Sequence, residues 1–294
     1  MAIKAKDPKT KFPAPGKSEQ KQEYPGREAE MITKPDYGEE SYRGSGKLMG
    51  KAALITGGDS GIGRAVAVAF AKEGADVVIA YLPAEEEDAQ ETKRIVEAAG
   101  RKAALAPGDL IDASYCEQLV ARVVAEFGKI DILVNNAGLQ KYFKTLDEIE
   151  AGDFEQIYHI NVIAPFILSR AAANKMKPGS TIVNTVSVEA YEPDFVLLPY
   201  AVSKAAFVGL TKGLSEELIK KGIRVNAVAP GPIWTPLNTH GSPEEKMRKF
   251  GESSAFGRPG QPVELSPTYV LLASDDSSYT TGEIYGITGG TGIA

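Results

Sequence analysis

From Lys51 onward, short apolar runs alternate with longer segments whose apolar positions recur every three or four residues. AALIT (52–56), DVVIA (76–80), AALAP (103–107), DILVN (131–135), STIVNTV (180–186), IRVNAVA (223–229) and EIYGI (283–287) are rich in Val, Ile and Ala. Continuous apolar runs of this length predict strands buried on both faces. Between them, the spacing of Ile62, Val66 and Phe70, and of Leu119, Val123 and Phe127, predicts amphipathic helices. Gly74, Gly100, Gly128 and Gly222 follow such segments, where a left-handed residue ends a helix. Strand–helix alternation repeated this often predicts an α/β fold, a doubly wound seven-stranded parallel sheet with helices on both faces, as one domain over residues 48–294. Ligands of such sheets bind beyond the carboxyl ends of the strands, so chemistry is expected at that edge.

Residues 1–47 break the pattern. They are rich in Lys, Pro and Glu, poor in branched aliphatics, and show no amphipathic period. Two readings stand: a flexible tail, or an extended arm laid on its own subunit or a neighbour, with Tyr24, Tyr37 and Tyr42 as anchors.

Charge and composition narrow the function. A formal net charge of −6 argues against nucleic-acid or anionic-membrane partners, which favour basic patches. Cys116 is the only cysteine, so no intrachain disulfide and no cysteine zinc site is expected. His159 and His240 lack metal-ligand spacing, so no metal is expected. No stretch is read as approaching the apolar length of a bilayer span, and the basic N-terminus lacks a signal's apolar segment. The expected compartment is therefore the cytoplasm.

The first strand runs straight into Thr56-Gly57-Gly58-Asp59-Ser60-Gly61-Ile62-Gly63-Arg64 and a helix. Glycines there permit a tight turn, let a pyrophosphate approach the backbone, and let the helix pack close to the strand. The helix N-terminus then faces the phosphates with its free amides. The spacing Gly-x-x-x-Gly-x-Gly resembles the short-chain dehydrogenase/reductase family, and the resemblance extends over roughly residues 48–294. Asn135-Asn136-Ala137-Gly138 after the fourth strand matches the family's Asn-Asn-Ala-Gly segment, and Asp109-Leu110 is similar to its adenine-binding pair.

Tyr200-Ala-Val-Ser-Lys204 puts a phenol and an ammonium four residues apart on one helix face. Carbonyl reduction needs a proton for the developing alkoxide, and alcohol oxidation needs a base. A free tyrosine, with a pKa of about 10, is a poor base at neutral pH; a nearby ammonium is expected to favour the phenolate. The resemblance implies Tyr200 as acid/base and Lys204 as its partner, also bound to the nicotinamide ribose. It further implies Ser187 on the substrate oxygen and Asn161 holding a relay water. Pro230-Gly231-Pro232-Ile233-Trp234-Thr235 resembles the segment against the nicotinamide, with residues 237–262 as a mobile substrate lid.

The expected cofactor-binding set is Gly57, Asp59, Ser60, Gly61, Ile62, Gly63, Tyr81, Leu82, Asp109, Leu110, Asn135, Ala137, Gly138, Tyr200, Lys204, Pro230, Gly231, Ile233 and Thr235. The cofactor is NAD or NADP. Tyr81-Leu82-Pro83 and Ser60 carry neither an acidic nor a basic determinant, while the acidic run 85–88 tilts the reading modestly to NAD. Arg64 is the residue that could instead swing toward a 2′-phosphate. The long N-terminus and the Gly-Gly-Asp-Ser-Gly-Ile-Gly-Arg run resemble a bacterial subgroup related to glucose/ribitol dehydrogenases and stress-induced oxidoreductases. The resemblance implies a homotetramer acting on a small alcohol, aldehyde or ketone. A non-catalytic dinucleotide sensor is the rival, though it would not need Asn161, Ser187, Tyr200 and Lys204 together. A sugar-nucleotide epimerase or dehydratase is a second, but it would need a larger C-terminal region.

Overall fold

A computed structural model describes residues 6–12, 22–240 and 242–293. The strands are β1 (Ala52–Thr56), β2 (Asp76–Tyr81), β3 (Ala103–Pro107), β4 (Ile132–Asn135), β5 (Thr181–Thr185), β6 (Arg224–Pro230) and β7 (Ile284–Ile287). The α-helices are α1 (Gly61–Lys72), α2 (Glu86–Ala98), α3 (Ala113–Phe127), α4 (Ala151–Tyr158), α5 (Ala164–Ala173), α6 (Leu198–Leu218), α7 (Pro236–Thr239), α8 (Glu244–Arg248) and α9 (Pro262–Ala273). All strand pairs are parallel and the order is β3-β2-β1-β4-β5-β6-β7. This is the expected Rossmann-type sheet of seven strands. The order reverses between β1 and β4, registered Ala53 to Ile132, and that switch opens a crevice at the carboxyl ends.

Alternation along the strands feeds two cores. Ala53 and Ile55 of β1 face Val66 and Phe70 of α1 and Leu265 and Tyr269 of α9. Leu54 between them faces Leu119 and Val123 of α3 and Leu168 and Ala172 of α5. Segment 195–221, which contains α6, is long and apolar enough by composition to cross a bilayer, contrary to the expectation that no stretch approaches it. It packs on β6 as a core helix and carries buried Tyr200 and Lys204.

The described part of the N-terminal segment from Gln22 onward is an arm on its own subunit, so the tail reading fails there. The stretches 1–5 and 13–21 lie outside the described residues. Gln22 pairs with His240, its amide donating to Thr239 O at 3.0 Å. Trp234 Nε1 donates to Thr33 O at 2.9 Å, and Met31, Trp234 and Met247 form a buried cluster. Tyr42 donates to Glu73 Oε1 at 2.6 Å, and Glu73 Oε2 accepts from the amides of Ser45 and Lys47 at 2.8 and 2.9 Å. This desolvated carboxylate fastens the arm to the end of α1.

Candidate active site

The strand ends are tied to one another at the crevice. Thr56 Oγ1 accepts from the amides of Asn136 and Ala137 at 3.0 and 3.1 Å, locking the end of β1 to the loop after β4. Asn136 Nδ2 donates to Thr56 O and Gly57 O at 3.0 and 3.1 Å. A Cβ at Gly63 would stand 1.8 Å from Gly57 O, so only glycine lets α1 approach the loop. Gly57 and Gly61 have φ of 60° and 50°, left-handed values that favour glycine.

Over this edge lies a cleft of about 1050 Å³. Its walls include Gly57, Asp59, Ser60, Gly61 and Ile62 after β1, Tyr81 and Leu82 after β2, and Asp109 and Leu110 after β3. Ala137 and Gly138 after β4 join them, with Ser187 after β5, Tyr200 and Lys204 on α6, and Pro230, Gly231, Ile233 and Thr235 after β6. The expected set thus converges, with three exceptions. Asn135 is buried in the sheet, where Nδ2 donates to Asn184 Oδ1 at 2.9 Å and to Ser169 Oγ at 3.2 Å. Its neighbour Asn136 faces the cleft instead. Gly63 serves packing rather than the cleft wall. Asn161 sits in a π-turn between α4 and α5 (His159–Ile163), and its amide is spent on Leu139 N (2.8 Å), Leu139 O (2.9 Å) and Ser203 Oγ (2.9 Å). It clamps the loop that follows Gly138.

Tyr200 and Lys204 are both buried on the first turns of α6, a helix whose start tolerates Pro199 because first-turn amides have no helical acceptor. Lys204 Nζ donates to Thr185 O at 2.8 Å and lies 5.5 Å from the centroid of the Tyr200 ring. Among the described residues no carboxylate compensates its charge, and burial pushes Lys204 down to about 7. Burial also pushes Tyr200 above the usual phenol range, with the Ser187 hydroxyl pulling the other way and Glu189 adding to the rise. The expected lowering of Tyr200 by the ammonium is therefore not what the fold produces: desolvation dominates and shifts the phenol toward its protonated form.

The end of the cleft walled by the segments after β1, β2 and β3 also departs from expectation. Arg64 is not free to swing. It is buried, donating from Nε to Asp59 O at 2.9 Å and Thr92 Oγ1 at 2.8 Å, from Nη1 to Glu28, and from Nη2 to Asp88 O at 2.9 Å. The acidic run 85–88 is not one solvated face: Glu85 turns into the cleft, Glu86 accepts from the Tyr81 hydroxyl at 2.5 Å, and Asp88 is buried with Arg64. Asp59 is buried, with Oδ2 lacking a hydrogen-bond partner among the described residues, and burial raises it to about 6. Burial and Asp59 together raise Glu85 to about 8. Asp59 lines the cleft with a buried carboxylate oxygen that has no partner among the described residues, and Ile62 brings a first-turn amide suited to phosphate. The residues fit a dinucleotide.

The sequence reading missed Glu85 as a wall residue, although it lay in the flagged acidic run. It also missed Gln140, whose Nε2 donates to Leu237 O at 3.0 Å and so ties the loop after β4 to α7. No spacing signal marks Gln140 beyond its place two residues after Gly138.

Sheet, glycine loop and Ser–Tyr–Lys cluster define a dinucleotide-dependent oxidoreductase. The chain belongs to the short-chain dehydrogenase/reductase family: residues 57–292 match the family model described as enoyl-(acyl carrier protein) reductase. It is 46% identical over 272 residues to NADPH-dependent aldehyde reductase 1, chloroplastic, of Arabidopsis thaliana, covering 90% of this chain and 94% of the relative. It is 44% identical over 277 residues to glucose and ribitol dehydrogenase of Daucus carota, covering 92% and 95%. Among solved structures, a short-chain dehydrogenase from Burkholderia cenocepacia in complex with NADP superposes with a TM-score of 0.76 at 34% identity, covering 83% of this chain and 99% of the other. The cofactors in these names carry a 2′-phosphate, so the tilt toward NAD expected from the sequence finds no support in them.

Proposed function

We propose that this oxidoreductase interconverts a small carbonyl compound and its alcohol, with Tyr200 as the proton donor and acceptor. The observation that carries the reading is the convergence of Ser187, Tyr200 and Lys204 on one wall of the cleft that also holds the glycine loop. A bound NAD or NADP supplies or accepts the hydride. The chain's own groups do the rest. Tyr200, kept protonated by burial, stands ready to give its proton to a carbonyl oxygen. Ser187 offers a hydroxyl to the same oxygen and favours its developing charge. Lys204 is anchored by Thr185 O and holds a titratable ammonium beside the phenol. Asn161 acts at one remove, fixing Leu139 and so the loop that carries Ala137 and Gly138.

The aldehyde-reductase and polyol-dehydrogenase names of the relatives point to the same pair of substrate classes. The test is a nicotinamide absorbance assay with NADH and NADPH against aldehydes, ketones, sugars and polyols, repeated with Tyr200→Phe. The variant should bind the dinucleotide and melt like the parent, while kcat falls by about 100-fold or more. Near wild-type kcat would overturn the assignment.

A further inference from the structure

Resting on the dinucleotide reading above, we propose that the N-terminal arm is part of the cofactor site. Tyr24 forms a wall of the adenosine pocket, and Glu28, acting through Arg64, sets the shape of the glycine loop.

Tyr24, Pro25 and Gly26 line the cleft together with Leu82, Glu85 and Asp109. Tyr24 is 47% exposed, so its ring contributes little to the core, and it lies 5.1 Å from the His240 ring at 59°. Its hydroxyl is pushed up to about 12 by burial and by the carboxylates of Glu85 and Asp109, which places it among the groups that follow β2 and β3. An aromatic face at that point is suited to cover a purine. A Cβ at Gly26 would stand 2.5 Å from Pro236 O, so the arm lies directly on the segment that also carries Ile233 and Thr235.

Glu28 works from behind the loop. It is 1% exposed and absent from the cleft wall. One carboxylate oxygen accepts from the Gly61 amide at 2.8 Å, where Ser60 supplies no side-chain cap to α1. The other pairs with Arg64. Arg64 in turn holds Asp59 O within the loop, Asp88 and Thr92 on α2, and the Tyr37 ring of the arm, 4.9 Å from the guanidinium. Asp88 closes the circuit by accepting from the amides of Glu28 and Ala29 at 2.7 and 2.9 Å. Removing Glu28 leaves a buried guanidinium with one carboxylate instead of two, and the loop it organises must rearrange. Glu28 is thus a positioning residue, and Tyr24 a binding residue.

The full-length chain is tested by calorimetric titration with ADP-ribose, which carries the adenosine half without nicotinamide, and by NADH and NADPH fluorescence. Tyr24→Ala should weaken ADP-ribose at least fivefold, with Tyr24→Phe within twofold of the parent. Glu28→Ala should weaken it at least tenfold, with the loss falling on the dinucleotide KM more than on kcat. Because Tyr24 is half-exposed, its variant decides the matter even if Glu28→Ala fails to fold. Parent-like ADP-ribose affinity in Tyr24→Ala, with the parent binding well, overturns the proposal alone. A parent that binds neither NADH nor NADPH overturns the dinucleotide reading and this proposal with it.

Discussion

Lys204 shows function set against stability at the level of one side chain. Its ammonium has Thr185 O as hydrogen-bond acceptor and burial opposing its charge, so it loses its proton near 7 when folded and near 10.5 when unfolded. Between those values the unfolded chain binds more protons, so this residue's contribution to stability rises with pH across that window. The cost of the buried charge is greatest below pH 7. Lys204→Met should therefore raise the melting temperature by several degrees at pH 6, lose that gain as pH approaches 10.5, and abolish turnover. Melting curves of parent and variant across that range check it; a variant less stable at low pH would contradict the burial argument. The four residues Asn161, Ser187, Tyr200 and Lys204 were legible by motif. That Asn161 is spent on Leu139 and Ser203 was not, because a motif names a residue without saying which groups its amide meets.

At the scale of elements, α1 packs directly on the loop that follows β1. Gly63 and Gly128 look alike in sequence and differ in kind. At Gly63 an added methyl meets the Gly57 carbonyl, a backbone atom that cannot turn aside, whereas Gly128 ends α3 in open space with φ of 76°. Gly63→Ala should displace α1, abolish dinucleotide binding and lower the melting temperature by more than ten degrees. Gly128→Ala should cost about 1–2 kcal/mol from conformation alone and keep binding. Thermal melts and NADPH fluorescence of both variants separate the two effects. Strand positions were readable because seven apolar runs carry their own signal. Which face each residue takes was not, since the central strands are buried on both faces and have no polar side to orient them, whereas the edge strands β3 and β7, expected to be buried as well, are only partly so. Asn135 and Asn136 illustrate it: adjacent, chemically identical, and pointed to different jobs.

Across the whole molecule, the arm links the two ends of the cleft. It touches α1 and α2 through Glu28 and Asp88, and the segment after β6 through Thr33 and Gln22. Trp234 is its main apolar seat, fully buried against Met31 and Met247. Trp234→Ala should cost about 3–5 kcal/mol and release the arm, exposing the bond after Arg27 to trypsin. Limited proteolysis of parent and variant reads this directly, and equal resistance of the two would show that the arm is held elsewhere.

The sequence by itself determined the sheet, its helices, the glycine loop and the Ser–Tyr–Lys set, because periodicity and turn chemistry are local and each run of residues carries them alone. Tertiary structure decided the rest. Arg64 became a buried clamp only because Glu28, thirty-six residues away, and Asp88 on α2 reach it. Glu85 entered the cleft while Glu86, beside it, stayed exposed and bound Tyr81. Tyr200 shifted against expectation, and Lys204 was lowered, because desolvation depends on what the whole chain packs around a group. Charge balance and burial are sums over distant segments, and no window along the chain contains them.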